Sequence, residues 1–381
     1  MTKRNNGRSG PDDLATMLAA LALARRGLGQ VWPNPAVGCV LVGAGRTGRP
    51  GRVVGRGWTQ QGGRPHAETE ALKRAGRLAR GATAYVTLEP CDHTGETPPC
   101  STALIEAGIR RAVVAIEDPD PRTAGAGIRR LRAAGIDVAV GIAADAARDL
   151  NAGFFMRVAK GRPMFTLKTA TTLDGRVATA KGESKWITGE SARAFAHGLR
   201  AQHDAIMIGV GTALADRPAL TCRLPGLADR SPVRIVLDSR LRLPADSPLV
   251  QTAIKVPVWI YAAQGAAAER QRELARPGVT VIEAETDDQG RPDLAWVAAD
   301  LGRRGLTRVL VESGGALAAT LLKKDLIDRI AWFRAPKLIG DDGRGAVAPF
   351  GLSGLGDAPA FVLDAVASAG ADVLETYRRR S

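Results

Sequence analysis

Among the side chains in two short stretches that can hold metals or move protons, four stand out by type and spacing. His66 and Glu68 lie in "PHAETEALKRAG" (65–76), and Cys91 and Cys100 lie in "EPCDHTGETPPC" (89–100). One histidine and two thiolates with an open fourth position describe catalytic zinc, whereas a structural site takes a fourth protein ligand. His93, two residues after Cys91, is the candidate for that fourth place. Zinc of the open kind lowers the pKa of a bound water towards about 7, and a nearby glutamate that is not a ligand carries the proton. The sharper reading is therefore His66, Cys91 and Cys100 on zinc with Glu68 as proton carrier. A His-x-Glu pair by itself is a common surface pattern. Its weight here comes from Pro90-Cys91 after a strand-like run and Cys100 at the start of a helical pattern.

The elements that must position these groups alternate in type. Strand-like runs occupy 37–42, 83–90, 112–118 and 137–141, and helical patterns cover 13–26, 66–79, 100–108 and 126–134. Pro65 suits a helix entrance, which puts His66 and Glu68 in the first turn. This alternation predicts an α/β layer sandwich, of three layers if helices cover both faces. Near 145–163 the pattern breaks at Gly161-Arg162-Pro163, and a second alternation of strands and helices follows. We expect two α/β domains, 1–148 and 149–381.

Composition narrows the partners. Lys and Arg outnumber Asp and Glu by 53 to 39 in 381 residues, a formal charge of +14, which favours anionic ligands. The charge is spread along the chain without basic blocks, so small phosphorylated ligands fit better than nucleic acid. Basic residues before "LATMLAALALA" imitate a leader, but Asp12 and Asp13 interrupt them, and Leu14, Met17, Leu18 and Leu21 recur at helical spacing. The expectation is an amphipathic first helix, no membrane span and a cytoplasmic chain. Four cysteines are too few for a disulfide framework, and Cys39 and Cys222 read as small hydrophobes.

The second half lacks an ordinary dinucleotide fingerprint. "GAGRTG" (43–48) is followed by Gly, Pro and strand-like residues where a phosphate-binding helix should begin, and it reads as a hairpin turn. "GVGTAL" (209–214) lacks the third glycine. "VLVESGGALAATLL" (309–322) runs from a strand through Gly314-Gly315 into a helix, where backbone N–H groups can hold a phosphate; the same pattern also makes an ordinary strand-to-helix turn.

His66-x-Glu68 followed by Pro90-Cys91 and Cys100 resembles the cytidine deaminase superfamily, in which most nucleoside and nucleic-acid deaminases place two residues between the cysteines. This chain has eight there. With "PNPAVGCVLV" (33–42), "DPDPRTAGAGIRRLRAAGI" (118–136), "LNAGFF" (150–155), "KTATTLDGRVATAKGESKWIT" (168–188) and "VESGGALAATLL" (311–322), it closely resembles the bifunctional riboflavin-biosynthesis pyrimidine deaminase/reductases.

That resemblance implies a three-layer cytidine-deaminase-like domain with Zn2+, then a dihydrofolate-reductase-like α/β domain with NADPH. The implied deaminase substrate is 2,5-diamino-6-ribosylamino-4(3H)-pyrimidinone 5′-phosphate, whose ribosyl group is then reduced to ribityl. It assigns cofactor contacts to Ala170, Trp186, Thr212, Asp216, Gly314, Gly315, Ala316, Leu317, Ala318, Ala319 and Thr320. Substrate contacts fall to Asn34, His93, Lys168, Ser184, Arg200, Leu220, Arg223 and Glu312. Arg200 and Arg223 are of the type that holds phosphate in charge-assisted forks, and Trp186 is of the type that walls a flat ring. His197 and His203 read as structural.

Two departures stand at the implied phosphate end. Thr59 and Glu96 occupy positions where the resemblance implies a histidine and a basic residue. They motivate a second reading, a reductase whose deaminase-like domain is impaired. The zinc motif and basic charge motivate a third, a nucleic-acid base deaminase, which the cysteine spacing opposes. The leading expectation is a small phosphorylated pyrimidine as partner, with no nucleic acid and no membrane. A homo-oligomer is left open.

Overall fold

Alternate residues of the first strand go to different cores. In β1 (Gly38–Val42), Cys39 and Leu41 join one apolar cluster and Val40 another, as a strand covered on both faces requires. The structure, a computed structural model, describes residues 11–44, 51–94, 98–349 and 351–380. Glu96 and most of the segment 43–52 lie outside the described residues. The chain divides into two units, Met1–Lys160 and Gly161–Ser381.

In the first unit, α1 (Pro11–Ala24), β1, β2 (Val53–Trp58), α2 (Ala67–Ala75), β3 (Thr83–Val86) and α3 (Cys100–Glu106) come in that order. They are followed by β4 (Arg111–Val114), α4 (Ala126–Ala133), β5 (Asp137–Val140), α5 (Ala144–Leu150) and α6 (Ala152–Lys160). The sheet order is β2-β1-β3-β4-β5, with β1 antiparallel to both neighbours and β3, β4 and β5 parallel. Ala67, Ala71 and Ala75 of α2, Leu104 of α3 and Leu131 of α4 cover one face. Met17 and Leu21 of α1, with Ala147 and Leu150 of α5, cover the other. The expected three layers are present. β1 and β2 form the hairpin expected around "GAGRTG", with the Gly43 N–H donating to the Arg52 carbonyl at 2.9 Å.

The division between the units falls after Lys160, whereas the sequence reading placed it after 148, inside α5. The reason is packing. Asn151 accepts from the Ala36 N–H at 2.9 Å and donates to the Ala36 carbonyl at 3.0 Å, tying the start of α6 to the segment before β1.

The second unit holds β6 (Met164–Thr171), β7 (Arg176–Ala178), α7 (Glu190–Ala201), β8 (Ala205–Gly209), α8 (Val210–Asp216), β9 (Val233–Leu237), α9 (Pro248–Gln251), β10 (Val258–Ala263) and α10 (Ala268–Leu274). Then come β11 (Val279–Ala284), α11 (Leu294–Arg303), β12 (Arg308–Val311), α12 (Gly315–Lys323), β13 (Ile327–Arg334), β14 (Arg344–Gly345), β15 (Phe361–Ala369) and β16 (Asp372–Arg379). Nine strands form one sheet in the order β11-β10-β9-β8-β12-β6-β13-β16-β15, parallel as far as β13 and antiparallel beyond it. The hairpin of β15 and β16 was absent from the sequence reading. β15 is exposed along nearly its whole length, so it lacks the in–out alternation that marks a half-buried strand.

Candidate active sites of the two units

His66 is the residue just before α2, with extended backbone, and Glu68 falls in the first turn of that helix. Glycine lets the helix lie this close to the sheet: a Cβ at Gly57 would come within 2.1 Å of the Ala67 carbonyl oxygen. Cys91 follows the end of the β3 segment, and Cys100 opens α3. His66 Nδ1 stands 3.3 Å from Cys100 Sγ and 3.6 Å from Cys91 Sγ. All three ligand atoms lie within 4.8 Å of one another.

Tetrahedral zinc with its usual bond lengths separates such ligand atoms by roughly 3.5–3.8 Å, so the donor set fits the ion. The loop between the cysteines is pinned from outside: Ser101 Oγ donates to Asp92 at 2.6 Å and Arg130 pairs with Asp92 at 2.9 Å. The Cys100 thiol, by donating, holds the Cys91 thiol well below its ordinary pKa, against burial and with help from His66. Burial pushes the Glu68 carboxyl up to about 7, with the Cys91 charge adding and His66 opposing. A carboxyl near neutrality is suited to taking and giving a proton.

His66, Glu68, Cys91, Asn34 and His93 line one cavity of about 250 Å³. Asn34 Nδ2 donates to the Gly63 carbonyl at 2.9 Å, and His93 Nδ1 lies 3.4 Å from Thr123 Oγ1, away from the sulfur cluster's bonds. His93 is outside the metal-ligand group. Thr59 also lines the cavity, but its hydroxyl accepts from the Val37 N–H at 2.9 Å and donates to the Pro35 carbonyl at 3.1 Å. It closes a backbone junction and brings no charge.

Sequence reasoning missed Glu89, Asp118, Asp120, Arg122, Phe154 and Arg157 on the same wall. Glu89 is buried and accepts from the N–H groups of Asp118, Gly125 and Ile128 at 2.9–3.1 Å, shaping the turn between β4 and α4. The available signal was "DPDPR", a dense charged turn directly after a buried strand.

In the second unit, Arg200 and Glu312 pair through two bonds of 2.8 and 2.9 Å, and Arg200 Nη1 donates to the Thr221 carbonyl. Arg200 therefore departs from the expected phosphate fork: its fork is engaged by a carboxylate. Burial raises the Glu312 pKa, but the Arg200 and Lys168 charges outweigh it and hold the group at about 2. His197 belongs to this cluster, feeling Arg200, Arg223 and Glu312, and its Nδ1 accepts from the Arg223 N–H at 3.3 Å. The spacing of His197 and Arg200 on α7 was the missed signal.

The glycine-rich stretch splits by helical period. Ala316, Leu317 and Thr320 line a cavity of about 300 Å³ with Gly209 and Gly211, while Ala318 and Ala319 are buried. The side chains of Ala318 and Ala319 are thus core groups. Gly314 and Gly315 form the entry to α12, and a Cβ at Gly314 would lie 3.8 Å from Thr212 Oγ1. Leu220 is a core group too, with φ of 54°. Trp186 is 65% exposed beneath the Arg193 guanidinium, 4.5 Å from its ring centroid. Lys168 stands over the Phe333 ring, Ala170 is half-buried on β6, and Ser184, Asp216 and Arg223 are exposed.

Fold and site define a zinc-dependent pyrimidine deaminase joined to a reductase. The family model for the cytidine and deoxycytidylate deaminase zinc-binding region matches residues 11–116, and that for the RibD C-terminal domain matches residues 163–374. The riboflavin biosynthesis protein RibD of Escherichia coli (strain K12) is 43% identical over 94% of this chain and 96% of its own. That of Aquifex aeolicus is 41% identical over 85% of this chain and 87% of its own. The solved structure of Acinetobacter baumannii RibD aligns with a TM-score of 0.84 at 36% identity, covering 97% of this chain and 99% of that one. A Thermotoga maritima diaminohydroxyphosphoribosylaminopyrimidine deaminase/5-amino-6-(5-phosphoribosylamino)uracil reductase aligns at 0.83 and 34% identity, with the same coverage. The chain belongs to the RibD family, the bifunctional deaminase/reductases of riboflavin biosynthesis, with Zn2+ and NADPH as cofactors. No helix among the described residues is long and apolar enough to cross a membrane.

Proposed function

We propose that the first unit deaminates 2,5-diamino-6-ribosylamino-4(3H)-pyrimidinone 5′-phosphate and that the second reduces the ribosyl group of the product. The observation that carries the first half is His66, Cys91 and Cys100 gathered around one point, with buried Glu68 on the wall of the same cavity. His66, Cys91 and Cys100 would hold a zinc ion, which when bound would supply an acidified water as nucleophile. Glu68 would take the proton that the attacking water gives up and pass it to the departing amine, so that an amino group leaves as ammonia and a ring carbonyl remains. Asn34 and His93 offer polar contacts to the substrate from the cavity wall.

For the second half, NADPH supplies hydride, and the protein orients donor and acceptor. Ala316, Leu317 and Thr320, which line the second cavity, form the cofactor wall with the Gly314-Gly315 entry to α12, where Thr212 stands beside Gly314. Trp186, Ala170 and Asp216 extend it. Lys168, Ser184, Arg223 and Glu312 contact the ribosyl phosphate region, and Arg200 orients Glu312. The enzyme acts in the cytoplasm on this small molecule, without nucleic acid.

A single assay tests both halves: the diaminopyrimidine phosphate is offered with and without NADPH while ammonia and cofactor absorbance are followed separately. Ammonia without NADPH, then cofactor oxidation when NADPH is added, is the expected course. Cofactor oxidation with no ammonia would leave only the reductase.

A further inference from the structure

The deaminase cavity carries cations that neither metal binding nor proton transfer uses. Arg122 and Arg157 both line it, as do His66 and Cys91 of the metal-donor cluster. They arrive from different elements, Arg122 from the turn between β4 and α4 and Arg157 from the middle of α6. Asp120 grips Arg122 through Nε at 2.9 and 3.1 Å and through Nη2, and it also accepts from the Arg122 backbone N–H at 3.0 Å. Nη1 takes no part in that grip, so the guanidinium is oriented without being saturated.

Arg157 is half-buried, and burial together with the Arg122 charge lowers its pKa. Two guanidinium groups thus oppose each other in a partly desolvated cavity, with Asp120 as the carboxylate acting on both. Asp118 lines the cavity as well, but it accepts from the Asp120 N–H at 2.9 Å, and burial raises its carboxyl to about 6. His93 lies on the same side, close enough for its charge to lower Asp120. Thr59 supplies no charge, because its hydroxyl is spent on backbone groups. Two guanidiniums that line one cavity and repel each other are suited to a dianion, whose oxygens match their fork geometry and whose charge offsets the repulsion.

We propose that Arg122 and Arg157 together seat the 5′-phosphate of the deaminase substrate. This rests on the deaminase reading of the cavity. Asp120 is then a positioning residue for Arg122, and the pyrimidine amine lies at the zinc end.

The test uses the zinc-loaded, full-length enzyme and measures ammonia release from the diaminopyrimidine riboside 5′-phosphate and from the same riboside without phosphate. Arg122→Gln and Arg157→Gln are each expected to raise KM for the phosphorylated compound about ten- to a hundredfold, the loss of one charge-assisted contact. The riboside KM should stay where it was. The double substitution should abolish the preference for the phosphorylated compound, and Arg157→Lys should recover part of it. Inorganic phosphate should compete with the phosphorylated substrate in the parent enzyme and lose that effect in the double variant. Equal KM changes for both compounds would mean a purely structural role, and unchanged KM values would remove the anchor while leaving the deaminase intact. Ammonia from neither compound in the parent would sink the deaminase reading itself.

Discussion

In the proposed deamination, Glu68 is the residue on which the reaction turns. It is 3% exposed, on the wall of the cavity that His66 and Cys91 also line, and burial raises its pKa to about 7. Glu68→Gln keeps the shape and removes the proton carrier. Ammonia release should fall about 10²- to 10⁴-fold, while metal analysis still finds zinc and NADPH oxidation by the deaminated intermediate continues. His203 affords a different residue-scale prediction. Its ring is buried between the Leu199 carbonyl and Thr166 Oγ1, and burial, with the Arg308 charge, lowers its pKa to about 3. The unfolded chain regains a pKa of about 6.5, so it binds the extra proton first as pH falls. Stability should therefore drop from about pH 6.5 down to about 3, by up to ~1.4 kcal/mol per pH unit, and then level off. Urea melts across that range should show a shallower slope in His203→Gln. The His66, Cys91 and Cys100 donor cluster with Glu68 beside it was legible from residue type and spacing because metal chemistry restricts both. Arg122 and Arg157 were not, since an arginine's role depends on which charges surround it.

At the scale of elements, one carboxylate shapes the wall of the deaminase cavity. Glu89 gathers three N–H groups from the turn and first residues of α4, and the helix presses so close that a Cβ at Gly127 would lie 2.0 Å from the Pro90 carbonyl. Glu89→Ala leaves those donors buried and unpaired, at about 1–3 kcal/mol each before relaxation. Hydrogen exchange should speed up at Asp118, Gly125 and Ile128, and the first unit should lose roughly 3 kcal/mol or more of stability. Protection unchanged at those three amides would contradict this account. The strands and helices expected in the first unit are present, because apolar runs and amphipathic helices leave a pattern in the sequence. β15 escaped because its exposed residues carry none, and the unit boundary escaped because Asn151 is tied by hydrogen bonds to Ala36, in the segment before β1 and more than a hundred residues earlier.

At the scale of the molecule, two chemistries occupy two units with separate cores, and their metal and cofactor requirements should separate too. Removing zinc with a chelator should abolish ammonia release and lower the melting midpoint of the first unit, since an ion that binds only the folded form stabilises it by mass action. Oxidation of NADPH with the deaminated intermediate should survive, and zinc should restore the lost activity. Parallel loss of both activities would argue against separable units. By itself, the sequence determined the class of both domains, the cluster of metal-donor residues and the family, because these rest on local spacing and on motifs in a given order. Tertiary structure alone decided that Arg200 spends its fork on Glu312, that Ala318 and Ala319 face the core, and that Thr59 serves the backbone. The physical reason is common to all three: a side chain's partners are set by groups distant in sequence, and only folding brings those within hydrogen-bond or packing distance.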